Sequence, residues 1–291
     1  MSLLQQLEER SKNLRSILQQ YQTNNFPTKG TFRREVISIS DLHIPYQRTD
    51  LIEEIVKRHA GADTLVINGD MFDAEAISSF YKHKEVPLIH EYLIAQDLLE
   101  LFSDKFGKVI LIDGNHDAGR YTRQLEKLPP PIRFLFRESL MQHLARGEKY
   151  NSKGEKTETV PYSNVYYAVN ATSGSTGWWH REGQAIFCHR LRGFKKNPMA
   201  NAVHMAQWFR GRGTTFQCLV SGHTHGFGSI IWEQKLVIDQ GCLCLPMEYE
   251  ANGSANLSPQ VLGYAKISLD RDGHIDVQET CSVLFGTYAY S

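Results

Sequence analysis

Aspartate, asparagine and histidine cluster at five places along this chain, each time directly after a run of apolar residues. The clusters are Asp41-Leu42-His43, Gly69-Asp70-Met71-Phe72-Asp73, Gly114-Asn115-His116-Asp117, Cys188-His189 and Gly222-His223-Thr224-His225. Each one alone is weak evidence, because Asp-x-His is common by chance and Gly-Asp is usually a turn. As a set, their carboxylates, imidazoles and one amide, without thiolate, are typical ligands of divalent ions such as Mn, Fe, Zn or Mg. The clusters therefore predict a metal site, provided that the fold brings them together.

The apolar runs in front of the clusters have the length and composition of buried β-strands. Predicted strands cover residues 36–39, 64–67, 109–112, 185–188, 217–220, 229–232, 235–238 and 261–269. The first three alternate with predicted helices at 51–59 and 91–106, which is typical of α/β proteins, whereas few helices separate the last ones, which favours antiparallel pairing. The carboxyl ends of strands in α/β sheets face the ligand crevice. We therefore expect all five clusters to meet at one rim.

Composition and charge are those of an ordinary globular protein. The 291 residues are 41% apolar and 22% charged with zero formal net charge, which excludes a generally basic nucleic-acid-binding coat but not a local basic groove. No apolar run is long enough to cross a bilayer, and Met1–Gln22 carries acidic side chains without a signal-peptide cleavage site. The five cysteines are odd in number and lack zinc-ribbon spacing, which favours free thiols in a reducing compartment. These features predict a cytoplasmic protein with no membrane partner.

The chain divides into an N-terminal segment and one large domain. Residues 1–26 are predicted to form an amphipathic helix, and residues 27–291 to form the main domain, with an insertion or cap at about 118–184. Leu7 and Leu14 lie one heptad apart, as in a coiled contact to a second copy of the chain. About three turns is short for a stable coiled coil, so packing on its own domain is favoured over a homo-oligomer.

In this order, the five clusters resemble the signature blocks of the calcineurin-like metallophosphoesterases. The match runs from Asp41 to His225, which is most of the chain. The resemblance implies two packed mixed β-sheets flanked by helices, a four-layer α/β/β/α sandwich. It also implies two divalent metal ions, with Mn favoured and Fe, Zn, Mg or Ni as alternatives. One ion would be held by Asp41, His43, Asp70 and His225, and the other by Asp70, Asn115, His189 and His223, with Asp70 as the bridge.

The resemblance further implies that His116 is the catalytic histidine and Asp73 the carboxylate that orients it. Two ions about 3.5–4 Å apart can share a water and lower its pKa from about 15.7 towards neutrality, so that the hydroxide attacks phosphorus in line. The ions also absorb charge on the phosphate oxygens, and His116 can protonate the leaving alkoxide. The expected activity is hydrolysis of phosphoester bonds.

Other features bear on the branch of the family and its substrate. Ala74 stands where the protein serine/threonine phosphatases carry an arginine, which counts against that branch. The blocks at 69–73 and 114–117 resemble the DNA-exonuclease branch, and the tail around Cys242 is similar to small metallophosphoesterases of bacteria and phages. We therefore expect a phosphodiesterase or nuclease acting on single-stranded or end-exposed nucleic acid in a bacterial or phage-infected cell. The alternatives are a phosphomonoesterase acting on nucleotides or phosphoproteins and, from another class, a non-catalytic scaffold.

Three residues are candidates for substrate contact. Trp179 lies in Trp178-Trp179-His180-Arg181, where aromatic rings next to basic side chains could stack bases and attract phosphates. The alternative is a loop whose tryptophans cover an apolar edge. Arg190 follows His189, where a small residue is commoner in the family, and Arg120 follows the His116 block. Either guanidinium could clamp a phosphate or point into solvent.

Overall fold

Two mixed β-sheets lie at the centre of the molecule. The computed structural model describes residues 33–78, 86–132, 138–168, 177–189, 199–246 and 260–287. Its strands are β1 (Arg34–Ile39), β2 (Thr64–Asn68), β3 (Val109–Ile112), β4 (Glu148–Tyr150), β5 (Lys156–Thr159), β6 (Val165–Tyr167), β7 (Trp179–Glu182), β8 (Ala185–Cys188), β9 (Cys218–Ser221), β10 (Phe227–Trp232), β11 (Lys235–Gln240), β12 (Val261–Leu269) and β13 (Cys281–Thr287). The first sheet has the order β13-β12-β1-β2-β3-β6 and the second β10-β11-β9-β8-β7, while β4 and β5 pair separately.

Parallel pairing places the ends of the central strands at a common edge of each sheet. In the first sheet β1, β2, β3 and β6 are parallel, with Ile39 opposite Ile67 and Asn68 opposite Ile112. In the second sheet β8, β9 and β11 are parallel, with Cys188 opposite Ser221. The loops that follow these strands carry the five polar clusters.

Helices cover the outer face of each sheet. They are α1 (Thr49–His59), α2 (Leu88–Lys105), α3 (Tyr121–Leu125), α4 (Leu140–Ala145) and α5 (Ala200–Gly211), and a π-helical turn at Asn115–Arg120 leads into α3. Apolar residues at helical spacing form the buried face of α1, as Leu51, Ile52 and Ile55 show. The same spacing buries Met205 and Phe209 of α5.

Three apolar cores separate the layers. One lies between the first sheet and α1 and α2, and includes Ile37 and Ile39. The second lies between the two sheets, where Val66 packs in a cluster with Phe187 and Val220. The third lies between the second sheet and α5. Successive strand residues point to opposite faces. The central strands contact an apolar core on each face, so their residues are apolar on both sides. The predicted four-layer α/β/β/α sandwich is confirmed.

The predicted insertion at 118–184 contains two strands that belong to the sheets. β6 pairs with β3 and β7 pairs with β8, so these segments form sheet edges, while α4 and the β4–β5 hairpin precede β6 in sequence. The domain boundaries themselves stay a prediction, and the predicted helix at 1–26 lies outside the described residues. Among the described helices, none has the length and hydrophobicity needed to span a bilayer.

The late strands pair differently from the sequence-based expectation. β10 is antiparallel to β11, as expected, and β12 is antiparallel to both β1 and β13. However, β8, β9 and β11 are parallel. The α5 helix, which the sequence pattern did not predict, forms the crossover from β8 to its parallel neighbour β9, and the connection from β9 to β11 runs through the edge strand β10.

Candidate metal centre

The five polar clusters meet where the strands of both sheets end. Several of the converging residues have left-handed backbone, with φ of 54° at Asp41, 45° at His43, 50° at Asp70, 89° at His223 and 53° at His225. Such backbone costs about 1–3 kcal/mol per residue and persists only where the surroundings impose it. Here the Asp41 N–H donates to the Gly69 carbonyl at 3.1 Å and the His43 N–H to the Asp70 carbonyl at 3.0 Å. The loops after β1 and β2 therefore hold each other in place.

The first donor set consists of Asp41, His43, Asp70 and His225. His43 Nε2 lies 3.1 Å from His225 Nε2, 3.7 Å from Asp41 Oδ1 and 3.8 Å from Asp70 Oδ2. Asp41 Oδ1 lies 3.3 Å from His225 Nε2. These separations are those expected of atoms that surround a single small cation.

The second donor set consists of Asp70, Asn115, His189 and His223. His189 Nε2 lies 3.1 Å from Asp70 Oδ2 and 3.3 Å from Asn115 Oδ1, and His223 Nδ1 lies 2.5 Å from Asn115 Oδ1. Asp70 Oδ2 faces both sets, so its carboxylate lies between them. The other oxygen, Asp70 Oδ1, accepts the His116 N–H at 2.8 Å.

Burial and donor chemistry both fit divalent ions. Asp41, His43 and His189 are almost completely buried, and Asp41 Oδ1 has no hydrogen-bond partner among the described residues. An unsatisfied buried carboxylate oxygen is costly unless a cation neutralises it. Carboxylate, imidazole and amide donors in one dry cluster are what divalent first-row ions bind.

The cluster shifts the pKa values of its own members. Burial alone would raise the pKa of Asp70, but His189 and then His116 outweigh it and hold the pKa below its ordinary value. Burial would lower the pKa of His189, yet Asp70 and Asp41 raise it to about 9. Burial, with His189 as the next cause, lowers the pKa of His223 to about 4. The carboxylates therefore favour the protonated His189 ring, whereas the His223 ring is kept neutral, and an imidazole must give up the proton of its ligating nitrogen to bind a metal ion.

Asp73 connects His116 to the first donor set. Its Oδ1 lies 2.9 Å from His116 Nδ1 and 3.1 Å from His43 Nδ1. Arg120 donates from one guanidinium nitrogen to the Asp73 carbonyl at 2.5 Å and to Asp73 Oδ2 at 3.1 Å, and its other nitrogen lies 3.4 Å from His116 Nε2. The structure therefore brings Arg120 into the site beside the histidine.

Glu91 of α2 holds the turn after Asp73, and the sequence analysis did not identify it. Its carboxylate is fully buried and accepts the N–H groups of Ala74 at 2.7 Å and Glu75 at 3.1 Å. Ala74 has left-handed backbone with φ of 53°. Burial, the main cause, and the nearby Asp73 raise the pKa of Glu91 to about 8. The only available signal was an acidic residue at a position where the helix pattern predicts burial.

A backbone carbonyl and a neighbouring side chain fix two of the expected ligand rings. His189 Nδ1 lies 2.7 Å from the Asn68 carbonyl, and His225 Nδ1 lies 2.8 Å from Gln260 Nε2. Such partners set the tautomer and orientation of a ligating imidazole. Gly114 approaches so closely that a Cβ there would collide with Asp70, which explains the glycine before Asn115.

The structure keeps Trp179 away from the centre. Its ring packs against Phe209 of α5 at 5.3 Å between centroids, and Trp178 packs against Trp208 and Phe209. Both tryptophans thus cover an apolar edge beside α5, which was the alternative interpretation. Arg190 lies outside the described residues, so its contact with substrate stays a prediction.

Comparison with known proteins agrees with this geometry. A model of the calcineurin-like phosphoesterases matches residues 35–227. Among solved structures, vacuolar protein sorting 29 from Cryptosporidium parvum is 16% identical with a TM-score of 0.42, covering 88% of this chain and 99% of that one. A structure described as a novel archaeal phosphodiesterase is 12% identical with a TM-score of 0.39, covering 86% and 99%. The comparison with curated proteins found no match.

The family model spans more than half of the chain and includes the clusters that supply most of the converging side chains. Because the fold and the donor set agree with that match, this protein belongs to the calcineurin-like phosphoesterase family and is a hydrolase of phosphoester bonds.

Proposed function

We propose that the protein is a phosphodiesterase whose centre holds two divalent ions. The observation that carries this proposal is the position of Asp70 between two donor sets. Asp41, His43 and His225 lie on one side, and Asn115, His189 and His223 lie on the other. When bound, divalent ions stabilise negative charge on phosphoryl oxygens and make water a stronger acid.

His116 is proposed to exchange a proton with the leaving oxygen. With Nδ1 held by Asp73 Oδ1 at 2.9 Å, Nε2 is the nitrogen that can face a substrate. A carboxylate at Nδ1 fixes the tautomer and makes the ring more basic. Burial, the largest cause, lowers the pKa of His116, so the ring must take up a proton at Nε2 before it can donate one to the leaving oxygen.

Arg120 favours a diester over a monoester. It is the cation that the described residues place beside His116, and its guanidinium is already paired with Asp73. A phosphodiester carries a single negative charge, whereas a monoester carries nearly two at neutral pH. Besides the charge of the proposed metal ions, the site then offers one partly neutralised guanidinium, which suits the smaller charge of a diester. Nucleic acid is the proposed substrate class, supported by the resemblance of the 69–73 and 114–117 blocks to the exonuclease branch.

The test is hydrolysis by the metal-free protein reconstituted in turn with Mn, Zn, Fe, Mg and Ni. We expect faster turnover of bis-p-nitrophenyl phosphate than of p-nitrophenyl phosphate, and cleavage of single-stranded DNA. His116→Asn should bind the same amount of metal and lose most activity, since the general-acid contribution is about 10²–10⁴-fold.

Each other result would contradict a defined part of the proposal. Faster turnover of the monoester would make the protein a phosphomonoesterase. Diester turnover without DNA cleavage would exclude the nuclease. No turnover of either substrate by metal-loaded protein would favour the scaffold.

A further inference from the structure

The segment after β11 brings a thiol to the first donor set. Cys244 is completely buried, and its Sγ lies within 4.8 Å of a ring nitrogen of His43 and of one of His225. The sequence analysis placed no thiolate in the ligand set, because the only cysteine next to a signature histidine is Cys188. That thiol belongs to the apolar core against α5.

Hydrogen bonds on both sides fix the position of Cys244. The Leu243 N–H donates to the Asp41 carbonyl at 3.2 Å, and the Leu245 N–H donates to the Tyr46 carbonyl at 2.8 Å. The backbone around Cys244 is therefore bonded to the loop that carries Asp41 and His43. A thiol held in this way reaches the centre without a change in the fold.

The distances are close to those of a shared ligand shell. Zinc binds imidazole nitrogen at about 2.0–2.1 Å and thiolate sulfur at about 2.3 Å, so two such donors on one ion are at most about 4.4 Å apart. All three donor atoms lie within 4.8 Å of one another, which is close to this upper value.

The geometry points to Cys244 as a further ligand of the ion that His43 and His225 hold, an inference that rests on the proposed metal-dependent function. The thiol binds as thiolate and releases its proton to solvent, so the sulfur lone pair forms the new bond and no electron is transferred. Thiolate favours zinc, iron and cobalt over magnesium and manganese. The first donor set is thereby selective for thiophilic ions, whereas the second keeps only oxygen and nitrogen donors.

Cys242 provides a matched control. It is equally buried and lies two residues away on the same segment, yet the donor cluster with His43 and His225 contains Cys244 and not Cys242 among the described residues. The Cys242 thiol donates to the Val261 carbonyl at 3.6 Å and also forms a side-chain hydrogen bond with Cys244, so Cys242→Ser controls for the loss of a neighbouring thiol. Serine at either position removes one sulfur with little change in volume.

The experiment is cobalt titration of metal-free protein, followed by absorption spectroscopy. A cysteine ligand gives a sulfur-to-cobalt charge-transfer band in the near ultraviolet. We expect the band in the wild type and in Cys242→Ser, and its loss in Cys244→Ser. The affinity of Cys244→Ser for zinc should be at least about tenfold lower than that of the wild type, because even the loss of a residue that hydrogen-bonds to a metal ligand lowers affinity by about 10–100-fold. Its affinity for manganese should change less.

A second measurement needs no variant. X-ray absorption at the zinc edge of the wild type should show a zinc–sulfur distance of about 2.3 Å. Cobalt binding without a charge-transfer band, an equal band in Cys244→Ser, or zinc without a sulfur neighbour would overturn the inference. If the protein still hydrolyses a diester in that case, the proposed function is unaffected. A sulfur ligand without turnover would instead support the inference and reject the phosphodiesterase.

Discussion

The Asp73 side chain contacts both the first donor set and the proposed catalytic histidine. One carboxylate oxygen lies within 3.1 Å of both the His116 and the His43 rings, and the other accepts from Arg120. Burial alone would raise the pKa of Asp73, but its contacts with His116 and then His43 hold the pKa well below the ordinary value. A single anion thus orients a proposed metal ligand and the proposed proton donor.

Replacement of Arg120 by lysine should impair turnover without loss of metal. One ammonium group cannot reproduce the planar fork that bonds to Asp73 while it faces His116. We expect kcat/KM for a diester to fall on the order of 100-fold, as when one positioned donor is removed. Steady-state kinetics and metal analysis check this.

Arg123→Lys is the control for that variant, because Arg123 lies three residues later, in α3, and is exposed. It should behave as wild type. An unchanged kcat/KM in Arg120→Lys would show that the guanidinium has no role in catalysis.

At the scale of secondary structure, α2 and the loop after β2 form one unit. Glu91 is the contact between them, because its carboxylate accepts two consecutive N–H groups from the turn that follows Asp73. A helix side chain therefore maintains the left-handed backbone at Ala74. The direction in which Asp73 points depends on this turn.

Glu91→Ala should lower both stability and activity. Two buried N–H groups would lose their acceptor, at about 1–3 kcal/mol each, so we expect a loss of roughly 2–5 kcal/mol in the free energy of unfolding. Chemical denaturation measures this loss. The pH dependence of kcat should also shift, since the carboxylate that orients His116 moves.

Asp97→Ala, at an exposed position of the same helix, should have little effect. A destabilised Glu91→Ala variant with wild-type kcat and pH profile would limit Glu91 to a structural role.

At the scale of the whole molecule, one carboxylate joins the two sheets. Glu182 of β7 accepts from Arg34 of β1 at 3.2 Å and from Lys108, just before β3, at 2.6 Å, and it also lies 3.3 Å from His180. Burial alone would raise the pKa of Glu182, but His180 and Lys108 outweigh it and lower the pKa to about 2. These contacts join the first sheet to an edge strand of the second.

Stability should therefore depend on the ionisation of Glu182. A pKa that is lower in the folded than in the unfolded protein gives stability that is present above the unfolded value, about 4.3 for Glu. That stability is lost as the pH falls towards 2. We expect Glu182→Gln to lower the free energy of unfolding by about 1–2 kcal/mol at neutral pH, after allowance for solvent screening. The two proteins should converge only near pH 2 and below.

Denaturation curves across this pH range test the expectation. Glu233→Gln, which removes only the exposed pair with Arg210, should match the wild type throughout. A constant difference between Glu182→Gln and wild type at every pH would contradict the ionisation argument.

Much of the fold and of the candidate site could be predicted from local sequence patterns. The predicted strands at 36–39, 64–67 and 109–112 are confirmed, because apolar runs with turn residues after them are local signals. The polar residues just after them meet, because parallel strands end at one edge. The expected ligands come together for the same reason.

Contacts between distant segments determined the features of the site that could not be predicted from the sequence. Trp179 faces α5, Glu91 reaches the Asp73 turn, and Cys244 lies beside a loop about two hundred positions earlier in the chain. Local pattern determines which residues follow a strand and whether they are polar. It does not determine which side chains from other segments pack beside them, because long-range packing selects those neighbours once the sheets have formed.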